Sequence, residues 1–229
     1  RCRAVVIATG HCDRPRLPAL AASMDPAIEQ LPSSAYRDPS QLKRGGVLVI
    51  GAAASAVQIA LELAHAGRRV VLAAGRHTPL PRHYLGRDIF WWLDRIGVLT
   101  ERATDTPDIR AGRRHPSLQL AGRADRLDVD LRTLERNGVR IAARPEAAVG
   151  TRLRFTDNLV ASIRHAEDKR DRLLADIRRL ASRLAIEATA DPMAPFTPTS
   201  PPDQLELEAA GVASIVWATG FSRDYSWLD

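Results

Sequence analysis

An α/β fold of the doubly wound, Rossmann-like kind is what this 229-residue sequence predicts. Three observations carry the prediction. Short apolar runs alternate with helical stretches along the chain, the pattern of a parallel sheet covered by helices. Residues 47–73 read as strand, turn, helix and strand in 27 residues, the size of one βαβ unit. The turn inside that unit, Gly51-Ala52-Ala53-Ala54-Ser55-Ala56, is made of small residues alone.

Taken in order, Ala4–Ala8 is a continuous apolar run ending in Thr9-Gly10, which predicts a buried central strand. Asp13–Pro18 is a Pro/Arg loop, and residues 19–46 are polar and irregular, with a turn at Tyr36-Arg37-Asp38-Pro39. Val47–Ile50 predicts a buried strand, the helix after the small turn runs to about Ala66, and Gly67 is its C-cap. Arg69–Ala73 predicts the next strand. Arg87–Ile96 reads as a helix ending at Gly97, and Phe90-Trp91-Trp92 as its face against the sheet, the alternative being part of a substrate pocket. Asp105–His115 reads as a charged loop and Asp128–Arg136 as a helix closed by Asn137-Gly138. Val139–Ala142 and Arg152–Phe155 read as strands. From Asn158 to Ala188, Leu159, Ile163, Ala166, Leu173, Ile177, Leu180 and Leu184 recur at helical spacing, with an interruption near Arg170. That stretch predicts an amphipathic helix laid on the domain, or a dimerisation helix. Ala213–Trp217 predicts the last strand, after a Pro/Thr/Ser loop.

Composition excludes several classes. Hydrophobic residues at 45% and charged residues at 26% rule out bulk disorder. Two cysteines, Cys2 and Cys12, are too few for a disulfide framework or a four-cysteine zinc site, so a reducing, cytoplasmic setting is the expectation. The net charge of +6 invites nucleic acid. However, all basic residues except Lys43 and Lys169 are arginines, and acids are interleaved with them, as in Asp168-Lys169-Arg170-Asp171-Arg172, so no specific nucleic-acid partner is expected. The uncharged stretch Gly45–Leu61 passes from strand to helix, interrupted by Gly, Ser and Gln, and falls short of a membrane span. The chain opens on Arg1 rather than Met, close to a core-like run, so an upstream segment is expected.

The chemistry centres on the turn after Val47–Ile50. A dinucleotide fingerprint has Gly-x-Gly-x-x-Gly/Ala at such a place. Gly51 allows the tight turn, the small Ala56 lets helix pack on strand, and the helix start at Ala54 would face a pyrophosphate with its N–H groups, with Ser55 adding a hydroxyl. The middle glycine is replaced by Ala53. The alternative is a plain strand–helix turn. Past the next strand, where an acid would hold a ribose 2′-hydroxyl, the sequence has Ala74-Gly75-Arg76-His77. Arg76 is placed to accept a 2′-phosphate, which favours NADPH over NADH; the alternative is one more surface arginine. A second signal is an internal echo: Val5-Val6-Ile7-Ala8-Thr9-Gly10 and Ile215-Val216-Trp217-Ala218-Thr219-Gly220 both end apolar runs in Ala-Thr-Gly. A strand's C-terminal end is where open α/β sheets bind ligands. No Cys-x-x-Cys and no Gly-x-Ser-x-Gly is present, no side chain stands out as acid, base or nucleophile, and His77 and His83 read as surface residues.

These residues resemble the flavin-containing monooxygenases and related bacterial flavoprotein oxidoreductases. The resemblance rests on Val6–His11 with Pro15 and Pro18, Ser33–Pro39, Val47–Gly51 with Ser55 and Gln58-Ile59-Ala60, Arg82–Asp88, and Trp217–Phe221 with Tyr225–Leu228. It implies an NAD(P)H-binding Rossmann-like domain, residues 46–150, inserted in a partial FAD-binding domain. Residues 1–45 and 151–229 would supply that second domain, its linker and the long helix. It implies two cofactors, FAD and NADP, with NADPH reducing the flavin and the reduced flavin activating oxygen toward a small-molecule substrate. Thr9, Gly10, Thr219 and Gly220 would lie near the flavin, and Gly51, Ala53, Ala54, Ser55, Ala56 and Arg76 on the NADPH side. A homo-oligomer is compatible with this.

The sequence departs from the family at three points. The N-terminal FAD fingerprint is absent from these 229 residues, Pro32 stands where a histidine is common, and Ala53 replaces a glycine. The expectation is therefore a flavin-dependent, NADPH-using, monooxygenase-like enzyme present as a fragment. Its rival is a non-catalytic remnant that binds NADP(H) weakly.

Overall fold

The computed structural model describes residues 3–10, 12–105, 108, 118–120, 128–187, 189 and 193–228. In chain order its elements are β1 (Arg14–Pro15), β2 (Glu29–Pro32), β3 (Gly46–Ile50), α1 (Ala54–His65), β4 (Val70–Ala74), β5 (Thr78–Pro79), β6 (His83–Tyr84), β7 (Arg87–Asp88), α2 (Ile89–Arg95), β8 (Leu118–Gln119), α3 (Leu131–Arg136), β9 (Arg140–Ala143), β10 (Pro145–Val149), β11 (Arg152–Phe155), α4 (Leu159–Arg183), β12 (Gln204–Glu206), β13 (Val212–Trp217) and β14 (Phe221–Ser222). Most of the charged loop expected at Asp105–His115 lies outside the described residues.

The centre is a five-stranded parallel sheet in the order β2-β13-β3-β4-β9. β3 and β4 are buried along their whole length, which their unbroken aliphatic sequences require when both faces of a parallel sheet are covered. α1 packs on β3 and β4, and α3 on α1 and β9. Leu153, Phe155 and Leu205, from the antiparallel sheet β10-β11-β12, join the same core. The mixed α/β architecture with a parallel sheet is therefore the one predicted. Strands from residues 1–45, 46–150 and 151–229 all enter this one sheet.

The helix ends follow from local chemistry. Asp88 starts α2 by accepting the Phe90 N–H at 2.9 Å, and Asp130 starts α3 by accepting that of Thr133 at 2.8 Å. α1 closes on Gly67 in the left-handed region, with Arg68 N–H on Leu63 O and Gly67 N–H on Ala64 O, the paired bonds of a Schellman motif. Gly97 and Gly138 end α2 and α3 in the same way.

A second core forms away from the sheet. Leu80, Tyr84, Leu85, Ile89, Trp92 and Leu93 pack against Leu174, Ile177 and Ala181 of α4. The aromatic cluster of α2 thus serves packing, but against α4 rather than the sheet. Trp92 is fully buried and donates to Tyr84 O at 2.6 Å, while Phe90 is exposed. α4 itself is continuous through Arg170, where the sequence suggested an interruption: Arg170 is buried, not turned out to water. Among the described residues no helix is long and apolar enough to cross a membrane.

Three further expectations need correction. Ala4–Ala8 is not a buried strand; the segment is exposed, with Val6 87% accessible. An apolar run becomes a strand only when neighbouring strands meet its N–H and C=O groups, and among the described residues none pairs with it. The irregular stretch 19–46 contributes β2, an edge strand ending in Pro32, where a missing N–H does no harm. The third concerns His77 and belongs to the site.

Candidate functional site

The strand order reverses beside β3. The chain leaves β3 through α1 to β4 and β9 on one flank, then returns as β13 on the other. Crevices at such reversals, at the carboxyl ends of the strands, are where open α/β sheets hold ligands. Three predicted segments arrive there: Gly51–Ala56 after β3, which includes the start of α1, the loop with Arg76 after β4, and Ala218-Thr219-Gly220 after β13.

The turn is tight by necessity. The Gly51 N–H donates to Ala73 O at 3.0 Å, and the Ala218 N–H to Ile50 O at 2.8 Å, so the ends of β4 and β13 close on the residue from both sides. Gly51 has φ +137°, and a Cβ there would lie against the Ala218 carbonyl, 3.0 Å from its carbon. Ala53 is the N-cap of α1 in extended backbone (φ −85°, ψ −177°), which any residue adopts, and no side chain caps the helix. Its first N–H groups are therefore left to water or another acceptor. Ala56 is completely buried where α1 meets the sheet, the packing role its small size predicted. Ala54 is half-buried, and Ser55 and Arg76 are exposed.

Sequence reasoning missed the wall beside this turn. Thr78 of β5 and Gln119 of β8 are buried, on strands that pair with each other. Gln119 Nε2 donates to Ala52 O, inside the turn, at 2.8 Å. His77, expected at the surface, is only 5% exposed, and its Nδ1–H donates to Gly75 O at 3.0 Å. A polar residue in a Pro-rich loop reads as surface until such a partner is known. Burial holds the His77 imidazole below its ordinary value, against the Gly75 carbonyl and the Asp130 charge, which favour the cation. Asp128 close by is pushed up by burial, against the Arg82 N–H that it accepts at 2.5 Å.

The depressed His77 value sets a pH dependence. Between its folded value and the ordinary 6.5, the unfolded chain binds more protons than the native state. Stability is then complete above about pH 6.5 and falls as pH drops through that value toward the folded one. In urea titrations across this range, His77→Gln should show a shallower loss of unfolding free energy on acidification. An unchanged slope would assign the dependence to other groups.

The segments that follow the two Ala-Thr-Gly copies meet, although only one copy ends a strand. β1 and β14, which follow them, pair antiparallel. The Arg16 N–H donates to Gly220 O at 2.9 Å, and the Thr219 hydroxyl donates to Arg16 O. Thr9 and Gly10, with Ile7, Ala8, Arg223 and Tyr225, line an open hollow of about 440 Å³. Among the described residues no group of His, Cys, Asp and Glu could hold a metal ion.

Comparison with known proteins finds oxidoreductases. The family model described as pyridine nucleotide-disulphide oxidoreductase matches residues 1–84. An uncharacterized oxidoreductase, CzcO-like, of Geobacillus kaustophilus is 27% identical over 226 residues, covering 98% of this chain and 48% of that protein. The chain is thus similar along nearly its whole length to an oxidoreductase. The uncharacterized oxidoreductase CzcO of Bacillus subtilis is 38% identical over 95 residues, 42% of this chain and 28% of that protein. A solved mutant flavin monooxygenase from Stenotrophomonas maltophilia superposes with a TM-score of 0.46 at 14% identity, over 96% of this chain and 42% of that one. The chain spans about half the length, or less, of the curated relatives it matches.

Proposed function

We propose that the chain is the nucleotide-binding part of a cytoplasmic, NADPH-using flavin-dependent oxidoreductase of the monooxygenase kind, acting on a small molecule. The observation that carries this reading is the Gly51 turn: a cradle closed to any side chain, opening onto an uncapped twelve-residue helix where the strand order reverses. Backbone N–H groups at Ala53, Ala54, Ser55 and Ala56 would receive the pyrophosphate, Ser55 adding its hydroxyl, and Arg76 the 2′-phosphate. The bound nucleotide would supply a hydride; the protein's part is to bind and orient it.

The flavin side is supported less directly. Thr9 and Gly10 line an open hollow, and Thr219 and Gly220 join their segment through Arg16. A dinucleotide's phosphates call for a glycine turn at a helix start, and the turn described here is given to NADPH. No residue of this chain is therefore assigned to the flavin's phosphates. Coverage of 48% of the Geobacillus relative supports reading these residues as part of a longer flavoprotein. The rival, a remnant that binds NADP(H) without turnover, is favoured by the exposure of residues 3–10.

Two measurements test the reading. In the longer protein of which this chain is read as a part, anaerobic NADPH should bleach the visible absorbance of bound flavin; a colourless protein, or one that stays oxidised, would favour the remnant. Arg76→Ala should weaken NADPH binding by about ten- to a hundredfold, as loss of a charge-assisted bond worth roughly 1.5–3 kcal/mol requires, and leave NADH nearly unchanged. Equal affinity of the unsubstituted chain for both nucleotides, by calorimetry, would remove Arg76 from the site.

A further inference from the structure

We infer that Gln119 is a positioning residue for the bound dinucleotide, acting through the peptide that joins Ala52 to Ala53. The inference rests on the proposed role of the Gly51 turn. Gln119 is 3% exposed, and its carboxamide reaches the Ala52 carbonyl. That carbonyl only accepts, so Nε2 must face it, and Oε1 lies buried without a partner among the described residues. Thr78, on the paired strand, likewise has a buried hydroxyl with none. A site built for stability alone would favour an apolar side chain here, since an unmet buried acceptor is unfavourable. The carboxamide instead serves the turn.

The Ala52 C=O and the Ala53 N–H share one planar trans peptide and point in opposite directions. Holding the carbonyl on Gln119 therefore sends the Ala53 N–H the other way and keeps it there. Ala53 is the position at which the fingerprint's middle glycine is replaced. The peptide before it is tied down by a side chain 67 residues away in sequence. Gln119 touches no nucleotide in this scheme; it sets the aim of a donor that would.

The test compares NADP⁺, which needs the pyrophosphate site, with 2′-AMP, which needs only the Arg76 end, by calorimetry on the full chain. Gln119→Leu should weaken NADP⁺ about tenfold, the scale of one buried hydrogen bond, and leave 2′-AMP within about twofold. Gln119→Glu should be equally weak at pH 8 and recover toward the unsubstituted chain at pH 5, where a protonated carboxyl can again donate to Ala52. Unchanged NADP⁺ binding, equal loss for both probes, or no recovery in the glutamate variant would overturn the inference. If Gln119→Leu does not fold by circular dichroism, the glutamate variant's pH response decides alone. If the unsubstituted chain binds neither probe, the reading of the Gly51 turn fails first, and this inference with it.

Discussion

Gly51→Ala should destabilise the protein by about 3 kcal/mol or more and abolish dinucleotide binding in whatever still folds. Two costs combine. The first is conformational: φ +137° lies in a region that residues with a Cβ rarely occupy, at a cost of about 1–3 kcal/mol. The second is steric and cannot be relieved by a rotamer, because the obstructing group is the Ala218 backbone carbonyl, held by β13's pairing with β3. Relief requires the end of β13 to move, taking the Ala218 N–H off Ile50 O. Ala53→Gly, two residues on, is the control. Ala53 occupies ordinary extended backbone, so glycine there should cost no more than about 1 kcal/mol, mostly from added freedom of the unfolded chain. Urea unfolding of the two variants checks both figures. A Gly51→Ala loss no larger than that of Ala53→Gly would mean that the turn is not closed by β13.

The same contrast shows how far sequence reached. The unit 47–73 was legible because its signals are local: an aliphatic run, a small-residue turn, a helix and a C-cap glycine, each decided by residues within a few positions. The closure of Gly51 by Ala218 was not, since it joins residues 167 positions apart. Gln119 and His77 were missed for the same reason; their burial depends on β5 pairing with β8, two strands of two residues each, too short for any periodicity to show. β2 escaped because Glu29-Gln30-Leu31-Pro32 has one buried apolar side chain and ends in proline. The run Ala4–Ala8 failed in the opposite direction. Hydropathy reports what a segment would gain by burial, not whether a neighbour is there to bury it.

α4 raises the last expected result. Its apolar stripe divides at residues 167–170: Leu159 and Ile163 enter the core of the parallel sheet, and Leu174, Ile177 and Ala181 enter the core around Trp92. Arg170 falls between the two, 3% exposed, with Nη1 at 3.6 Å from Glu167 Oε1 and Nε at 2.7 Å from Asp171 Oδ1. The same Glu167 oxygen accepts the Phe196 N–H at 3.0 Å and so fastens the segment after α4 back onto the helix. Arg132 adds to that fastening by donating to Ala194 and Pro195 carbonyls and lying over the Phe196 ring. Arg170→Met keeps an unbranched apolar stem and removes the charge, leaving Glu167 buried with the Phe196 N–H as its remaining hydrogen-bond donor among the described residues. The expected cost is about 3–5 kcal/mol, the scale of stranding one member of a buried ion pair. Adding Glu167→Gln should restore most of it, because the amide still accepts from Phe196 and no longer carries a charge. Urea unfolding of the two single variants and the double variant measures the coupling directly. A single-variant loss below about 1 kcal/mol would put Arg170 in the class of exposed pairs and the seam between the cores in contact with water.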